Sequence, residues 1–233
     1  TSYYMSSGAG AITADGRNVE MRQNQSDNAD EWYLALISYE SSVQCEGQKK
    51  SNWCWATASR MFSKHFYPTV SYTQNQAVAH VKGSEVNEGG TRVEAKEAIN
   101  YYISNISGAN IDTVIKEYLI YSEETLLQFL DDGYVIYIAR GWYDDIDDPN
   151  SRYGGHATLI YGYVNIDSDY RFLVRDPWPI NKGETYMISY EKLCNGRNCQ
   201  DDEDDDKGIW CASIVVNTEY ADNTQPYYFD SIE

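Results

Sequence analysis

The sequence predicts an α+β fold, helices first and strands after. Three observations carry this. Between Cys54 and Gly133 the apolar residues recur at helical spacing, punctuated by capping and stop signals. From Tyr134 onward, runs of Val, Ile, Tyr and Leu are bounded by Gly, Pro, Asn and Asp. The chain has 233 residues, 42% of them hydrophobic and 23% charged, enough for one large domain or two packed lobes.

Residues 1–44 are rich in Asn, Ser and Asp and hold a single strand-like run, Trp32 to Tyr39. They read as an N-terminal extension packed on the core. The first helix is expected from Cys54 to about Phe66, with Trp55, Ala58, Phe62 and Phe66 on one face. A short helix follows at Gln74–Val81. The next starts at Thr91, whose partner three residues on is Glu94, a capping-box pattern leading into Ala95, Ala98, Ile99 and Tyr102. Another begins after Ser122, presents Leu126, Leu127 and Leu130, and stops at Gly133. Strands are expected at Tyr134–Ala139, Ala157–Val164, Tyr170–Val174, Thr185–Ser189 and Ile209–Val216, forming a mostly antiparallel sheet. The chain therefore divides into the extension (1–44), a helical lobe (45–110) and a β lobe (111–233).

Charge excludes several partners. With 18 basic against 36 acidic residues the net charge is −18, a field that opposes nucleic acid and anionic lipid. No apolar run is long enough for a membrane span. The start, Thr1-Ser-Tyr-Tyr, has neither initiator Met nor a basic-then-apolar leader and reads as a processed chain. Together with 22 tyrosines this favours a secreted, extracellular protein; a monomer is expected, though nothing in the sequence fixes the oligomeric state.

There are five cysteines, an odd number that suggests pairs plus one free thiol. If Cys54 is the free one, Cys45, Cys194, Cys199 and Cys211 can pair in three ways. Cys194–Cys199 would close a short loop and leave Cys45–Cys211. The competing reading has all five reduced and buried.

A nucleophilic cysteine needs a base, an oxyanion donor and a group that orients the base. Cys54 stands where the first helix begins, so the helix N-terminus favours a thiolate there and its own N–H can face an oxyanion. Gln48, six residues upstream, offers a second donor. Of three histidines, His65 is about 16 Å along the same helix and cannot reach Cys54. His80 has a half-apolar helical context and reads as structural. His156 is expected to open a strand, with Gly154 and Gly155 letting a ligand approach and the apolar residues after it anchoring the ring. Asp176, after the next strand and before Pro177-Trp178, can fix the imidazole tautomer from an adjacent antiparallel strand.

Gln48, Cys54-Trp55-Ala56, Gly155-His156-Ala157 and Asp176-Pro177-Trp178, in this order, resemble the papain-like cysteine peptidases. Trp53-Cys54-Trp55-Ala56, with Asn87-Glu-Gly-Gly-Thr91 before a helix, is similar to a bacterial branch that includes bacteriocin-leader peptidases and plant-pathogen effector proteases. The resemblance spans roughly residues 44–217. It implies the two-lobe papain-like fold, Cys54 as nucleophile, His156 as general base and acid, Asp176 as orienting residue and Gln48 as oxyanion donor. It also implies that Trp178 covers the His–Asp pair, that Trp53, Trp55 and Gly155 shape the site, and that the substrate is a peptide or protein. The sequence departs from the plant and lysosomal members, with Asn52-Trp53 in place of their Gly-Ser and Asp176 in place of their Asn. The interval of 102 residues from Cys54 to His156 is also shorter than theirs.

Acidic clusters at Asp144, Asp145, Asp147 and Asp148, at Asp167 and Asp169, and at Asp201–Asp206 have the oxygen chemistry of calcium loops. None has the spacing of the twelve-residue helix–loop–helix site, and solvated loops are the plainer reading. No resident metal or cofactor is expected. The walls of the substrate pocket are expected from the Tyr67–Tyr72 segment and the first residues of the β lobe. Two other functions fit the same residues: an amidase or acyl-transfer enzyme on a non-protein substrate such as a cell-wall fragment, and a binding module that kept the fold without turnover.

Overall fold

The computed structural model describes residues 11–12, 18–23, 32–144, 148–166, 169–194 and 208–227. It is a mixed α+β fold in which a group of helices packs on one face of a nine-stranded antiparallel sheet. Three strands open the chain: β1 (Ala11–Ile12), β2 (Asn18–Gln23) and β3 (Trp32–Glu40). The helices α1 (Cys54–Phe66), α2 (Gln74–Lys82) and α3 (Arg92–Ile103) follow, then β4 (Thr113–Glu117), β5 (Leu119–Tyr121) and α4 (Glu123–Asp131). The remainder is β6 (Ile136–Tyr143), β7 (Arg152–Ile166), β8 (Asp169–Asp176), β9 (Glu184–Ile188), α5 (Tyr190–Cys194), β10 (Ile209–Val216) and β11 (Thr224–Pro226).

The sheet is organised around β7, whose 15 residues serve three neighbours. Along one edge it pairs first with β6 and then with β3; along the other it pairs with β8, which carries β9. Beyond β6 come β10 and β4. A separate two-stranded sheet joins β5 and β11. The central strands are buried on both faces, and side-chain alternation divides their residues between two cores. Tyr137, Ala139, Ala157, Leu159 and Tyr161 join the helical side with Trp53, Trp55, Phe62 and Tyr102. Ile136, Ile138 and Ile160 face the opposite side with Val174, Phe172, Tyr186, Trp210 and the Leu126–Leu130 face of α4.

The helix signals are found where expected. Thr91 caps α3 in a closed capping box with Glu94, Thr73 caps α2 with Gln76, and Ser122 caps α4. Small residues on α1 let α3 approach closely: Ser59 Oγ lies 3.0 Å from the Ala95 carbonyl oxygen, and the Tyr102 hydroxyl donates to the Ala56 carbonyl at 3.0 Å. Strand boundaries moved more. The run at Trp32–Tyr39 is a strand that pairs with β7, but β1 and β2 extend the sheet from a stretch read as holding one strand only. His156 does not open its strand: β7 begins four residues earlier, and Gly154 and Gly155 pair with Trp142 and Gly141. The glycines expected to precede the strand and let a ligand approach are here part of its extended backbone, and a Cβ at Gly154 would stand 2.7 Å from the Trp142 ring.

The expected Cys45–Cys211 disulfide is absent; both thiols are free. Cys45 Sγ donates to the Glu184 carbonyl at 3.3 Å, beside β8 and β9. Cys211 is on β10, with β7 and β6 between, and its thiol faces the Ala139 carbonyl at 3.5 Å. Three strand spacings, roughly 14 Å, exceed the reach of a disulfide. Cys194 is also a free thiol, and its expected partner Cys199 lies outside the described residues. Outside them too are Asp145, Asp147, Asp167 and Asp201–Asp206, so the acidic loops read as calcium candidates are not described as sites. Among the described residues no cluster of three or more His, Cys, Asp or Glu side chains is placed to hold a metal, and no helix is long and apolar enough to cross a membrane.

Candidate active site

Cys54 is the first residue of α1, half-buried, at the end of the helix where backbone N–H groups lack helical acceptors. Around it the chain is laced to residues 86–90. Asn52 donates its N–H to Asn87 Oδ1 (3.0 Å) and its Nδ2 to the Asn87 carbonyl (2.9 Å). The indole of Trp53 donates to the Val86 carbonyl (2.8 Å) and that of Trp55 to the Glu88 carbonyl (3.1 Å). Both indoles are buried. Gly90 lies flat on the Trp55 ring, where a Cβ would stand 2.3 Å from ring carbon. This explains why the Asn-Trp-Cys-Trp and Asn-Glu-Gly-Gly segments occur together: one fixes the other as a wall of the cleft.

The sheet brings His156 and Asp176 together. Leu159 pairs with Arg175 across β7 and β8, which places the end of β8 beside His156. His156 Nε2 donates to Asp176 Oδ1 at 2.6 Å, and the pair is 12% and 1% exposed. Asp176 Oδ1 also accepts the Trp178 N–H (2.8 Å), and Oδ2 accepts the Tyr186 hydroxyl (3.1 Å). Burial alone pushes an imidazolium towards neutrality; the Asp176 carboxylate, by charge and hydrogen bond, and the Cys54 side chain outweigh it and raise His156 to about 10. The Nε2 bond to Asp176 leaves Nδ1 for Cys54. The other histidines stand elsewhere. His65 bridges Ser41 Oγ and the Gly133 carbonyl, each at 2.7 Å, and burial lowers its pKa. His80 stacks on Tyr101.

A cavity of about 330 Å³ opens onto these groups, lined by Gln48, Cys54, His156, Asp176 and Trp178 among others. A second, of about 450 Å³, flanks Cys54 and His156 on the Gly89–Gly90 side, with Trp55 and Gly155 in its lining. Neither is lined by Tyr67–Tyr72; the second takes Tyr137 and Ala139 from the middle of the sheet instead. Gln48 is positioned by backbone bonds to the 177–181 turn: its N–H donates to the Pro177 carbonyl and its carbonyl accepts the Asn181 N–H, both at 2.8 Å. Gly47 permits this crossing, since a Cβ there would stand 2.2 Å from Lys182 N. The Gln48 amide is already engaged. Nε2 donates to the carbonyls of Lys50 (2.9 Å) and Ser51 (2.7 Å), while Oε1 is buried without a partner among the described residues.

Two side chains of the site escaped sequence reasoning. Tyr186, buried on β9, holds the second carboxylate oxygen of Asp176; it sits opposite Val174, and fixing the β8–β9 register would have found it. Trp142 lies parallel to the His156 ring, with centroids 6.3 Å apart and planes 8° from parallel. Trp178, the indole expected over the pair, lines the cavity and is 47% exposed.

The sequence profile described as the Peptidase_C39 like family matches residues 40–197, more than half of the chain. Among curated proteins no sequence matches. Solved structures resemble the chain at low identity. One, from Bacillus anthracis, is titled a C39-like peptidase (14% identity, 79% of this chain and 98% of that one, TM-score 0.45). Another is a digestive procathepsin L2 proteinase from Tenebrio molitor larval midgut (19% identity, 82% and 70%, TM-score 0.45).

Proposed function

We propose that this chain, which belongs to the Peptidase_C39 like family, hydrolyses peptide bonds with Cys54 as nucleophile, His156 as base and acid, and Asp176 as the residue that orients the ring. The observation that carries the reading is the buried 2.6 Å bond from His156 Nε2 to Asp176, which leaves the other ring nitrogen to Cys54 at a helix N-terminus. In this reading the helical lobe (45–110) supplies the nucleophile and the β lobe (111–233) the base.

The proton shared by Cys54 and His156 rests on the His156 ring, and the Cys54 sulfur adds to the scissile carbonyl carbon. The resulting oxyanion meets the Cys54 N–H, aided by the positive end of α1. Gln48 supplies a second N–H by releasing the carbonyl of Lys50 or Ser51. As the C–N bond breaks, His156 returns the proton to the leaving amine and a thioester remains. Water then loses a proton to His156 and adds to the thioester carbon; the C–S bond breaks, the acid leaves and the thiol is reprotonated. Asp176 stays ionised throughout and stabilises the imidazolium. Trp142 and Trp178 flank the reacting groups and limit bulk water.

Hydrolysis of a mixed peptide library, followed by mass spectrometry, tests this. Wild type should cleave, and Cys54→Ala and His156→Ala should each lose about 10³-fold or more. Cleavage by Cys54→Ala at the wild-type rate would sink the proposal. Turnover of cell-wall fragments but of no linear peptide would move the function to amide hydrolysis on a non-protein substrate.

A further inference from the structure

Resting on the peptidase reading, we propose that the cavity on the Gly89–Gly90 side of Cys54 receives the side-chain carboxylate of a substrate Asp or Glu, held by Arg152. The cavity is about 450 Å³ and reaches from Gly90 and Tyr137 to Cys54 and His156, so a side chain entering it belongs to a residue near the scissile bond.

Its charge is opposite to that of the protein. The chain carries twice as many acidic as basic residues, yet this lining includes Lys82, Arg92 and Arg152 against one carboxylate, Glu94. Arg140 also lines the cavity, but it alternates with Tyr137 and Ala139 along β6 and so directs its side chain to the opposite face. Two of the three cations are already satisfied: Lys82 Nζ lies 2.6 Å from Glu94, and Arg92 Nε 2.7 Å from Glu117. Arg152 differs. Its Nε donates to the Gly154 carbonyl at 3.0 Å, and among the described residues Nη1 and Nη2 have no hydrogen-bond or ion-pair partner. Arg152 is half-buried, and its two terminal nitrogens keep some exposure, so they stand open to an incoming anion. A carboxylate fits its two-pronged donor face, and the bond it forms is charge-assisted.

The neighbouring residue sets the distance to the chemistry. A Cβ at Gly155 would stand 2.6 Å from both the Arg140 carbonyl oxygen and Arg152 Nη2: the backbone contact requires glycine there, and the guanidinium lies along β7 next to His156. A substrate carboxylate on Arg152 would hold the backbone over Cys54. A Lys or Arg side chain in the same place would meet Arg152 and the charged His156 ring. The pocket thereby rejects the cations that the protein's overall field attracts.

The test is digestion of peptides acetylated and amidated at their ends, so that the only carboxylates come from side chains. Positions around the scissile bond are varied, and iodoacetamide labelling of Cys54 counts assembled sites in every variant. Wild type should cleave where one fixed position is Asp or Glu, at least about tenfold faster than with Asn or Gln there. Arg152→Gln should erase that preference, and Arg152→Glu should reverse it in favour of Lys or Arg. An apolar or basic preference in wild type, or an acidic one that survives Arg152→Glu, overturns the assignment. If wild type labels at Cys54 but cleaves no peptide, the peptidase reading itself fails and this one with it.

Discussion

Replacing Asp176 by Asn changes one charge and almost no volume, and so tests how the ionisation of His156 is tied to the fold. Asn can present its Oδ1 to the His156 ring and the Trp178 N–H, and its Nδ2 can donate to the Tyr186 oxygen, so all three contacts of the carboxylate keep a partner. What disappears is the negative charge. Burial pushes the His156 pKa down; Asp176 and then Cys54 override it, lifting the ring from 6.5 to about 10. A shift of that size corresponds to about 5 kcal/mol of preference for the imidazolium, shared between the two neighbours. Asp176→Asn should therefore cost about 2–4 kcal/mol wherever the ring is charged. The pKa is raised on folding, so the stabilisation is complete below the unfolded value near 6.5 and fades as pH rises through about 10. Urea unfolding at about pH 6 and about pH 10.5 measures it: the gap between wild type and variant should be wide at the first and nearly closed at the second. A gap of equal size at both, or a His156 ring proton that titrates at the same pH in both proteins, refutes the reasoning.

Other changes follow from the same contacts. Tyr186→Phe removes a buried donor from Asp176 Oδ2 and should cost about 1.5–3 kcal/mol in urea unfolding while slowing peptide hydrolysis. Gly90→Ala forces a methyl into the Trp55 ring and should lower stability by about 1–3 kcal/mol, with a visible change in Trp fluorescence. Arg140 is fully buried, and all three guanidinium nitrogens lack hydrogen-bond partners among the described residues. Arg140→Met should raise stability by roughly 1–4 kcal/mol, read as a higher Tm.

The elements with strong local signals were legible in the sequence. The capped helices at Thr91 and Ser122 carry their own punctuation, and the structure starts them within a residue of the expectation, while the apolar run after His156 lies inside a strand that starts five residues earlier and ends two later. Long-range pairing was not. Whether β7 begins at Arg152 or at His156 depends on Gly141 and Trp142 lying opposite, which no local pattern of Gly-Gly reveals. For the same reason the Cys45–Cys211 bridge failed: counting cysteines says nothing of the two strands between them. The proximity of His156 and Asp176 was legible because two adjacent antiparallel strands bring their ends together, whereas Tyr186 needed the register of a third strand. The proposed role of Arg152 was invisible because it rests on the lack of a carboxylate partner for its terminal nitrogens among the described residues, which no sequence pattern shows.

The most direct test of a Cys54–His156 site is iodoacetamide labelling at about pH 6, with every modified thiol located by peptide mapping. Burial raises the pKa of Cys45, Cys194 (to about 11) and Cys211, so these thiols should stay unmodified. Cys54 should label rapidly in wild type and at least about a hundredfold more slowly in His156→Ala. Labelling of Cys54 no faster than the buried thiols, or unchanged by the loss of His156, would contradict the account at its centre.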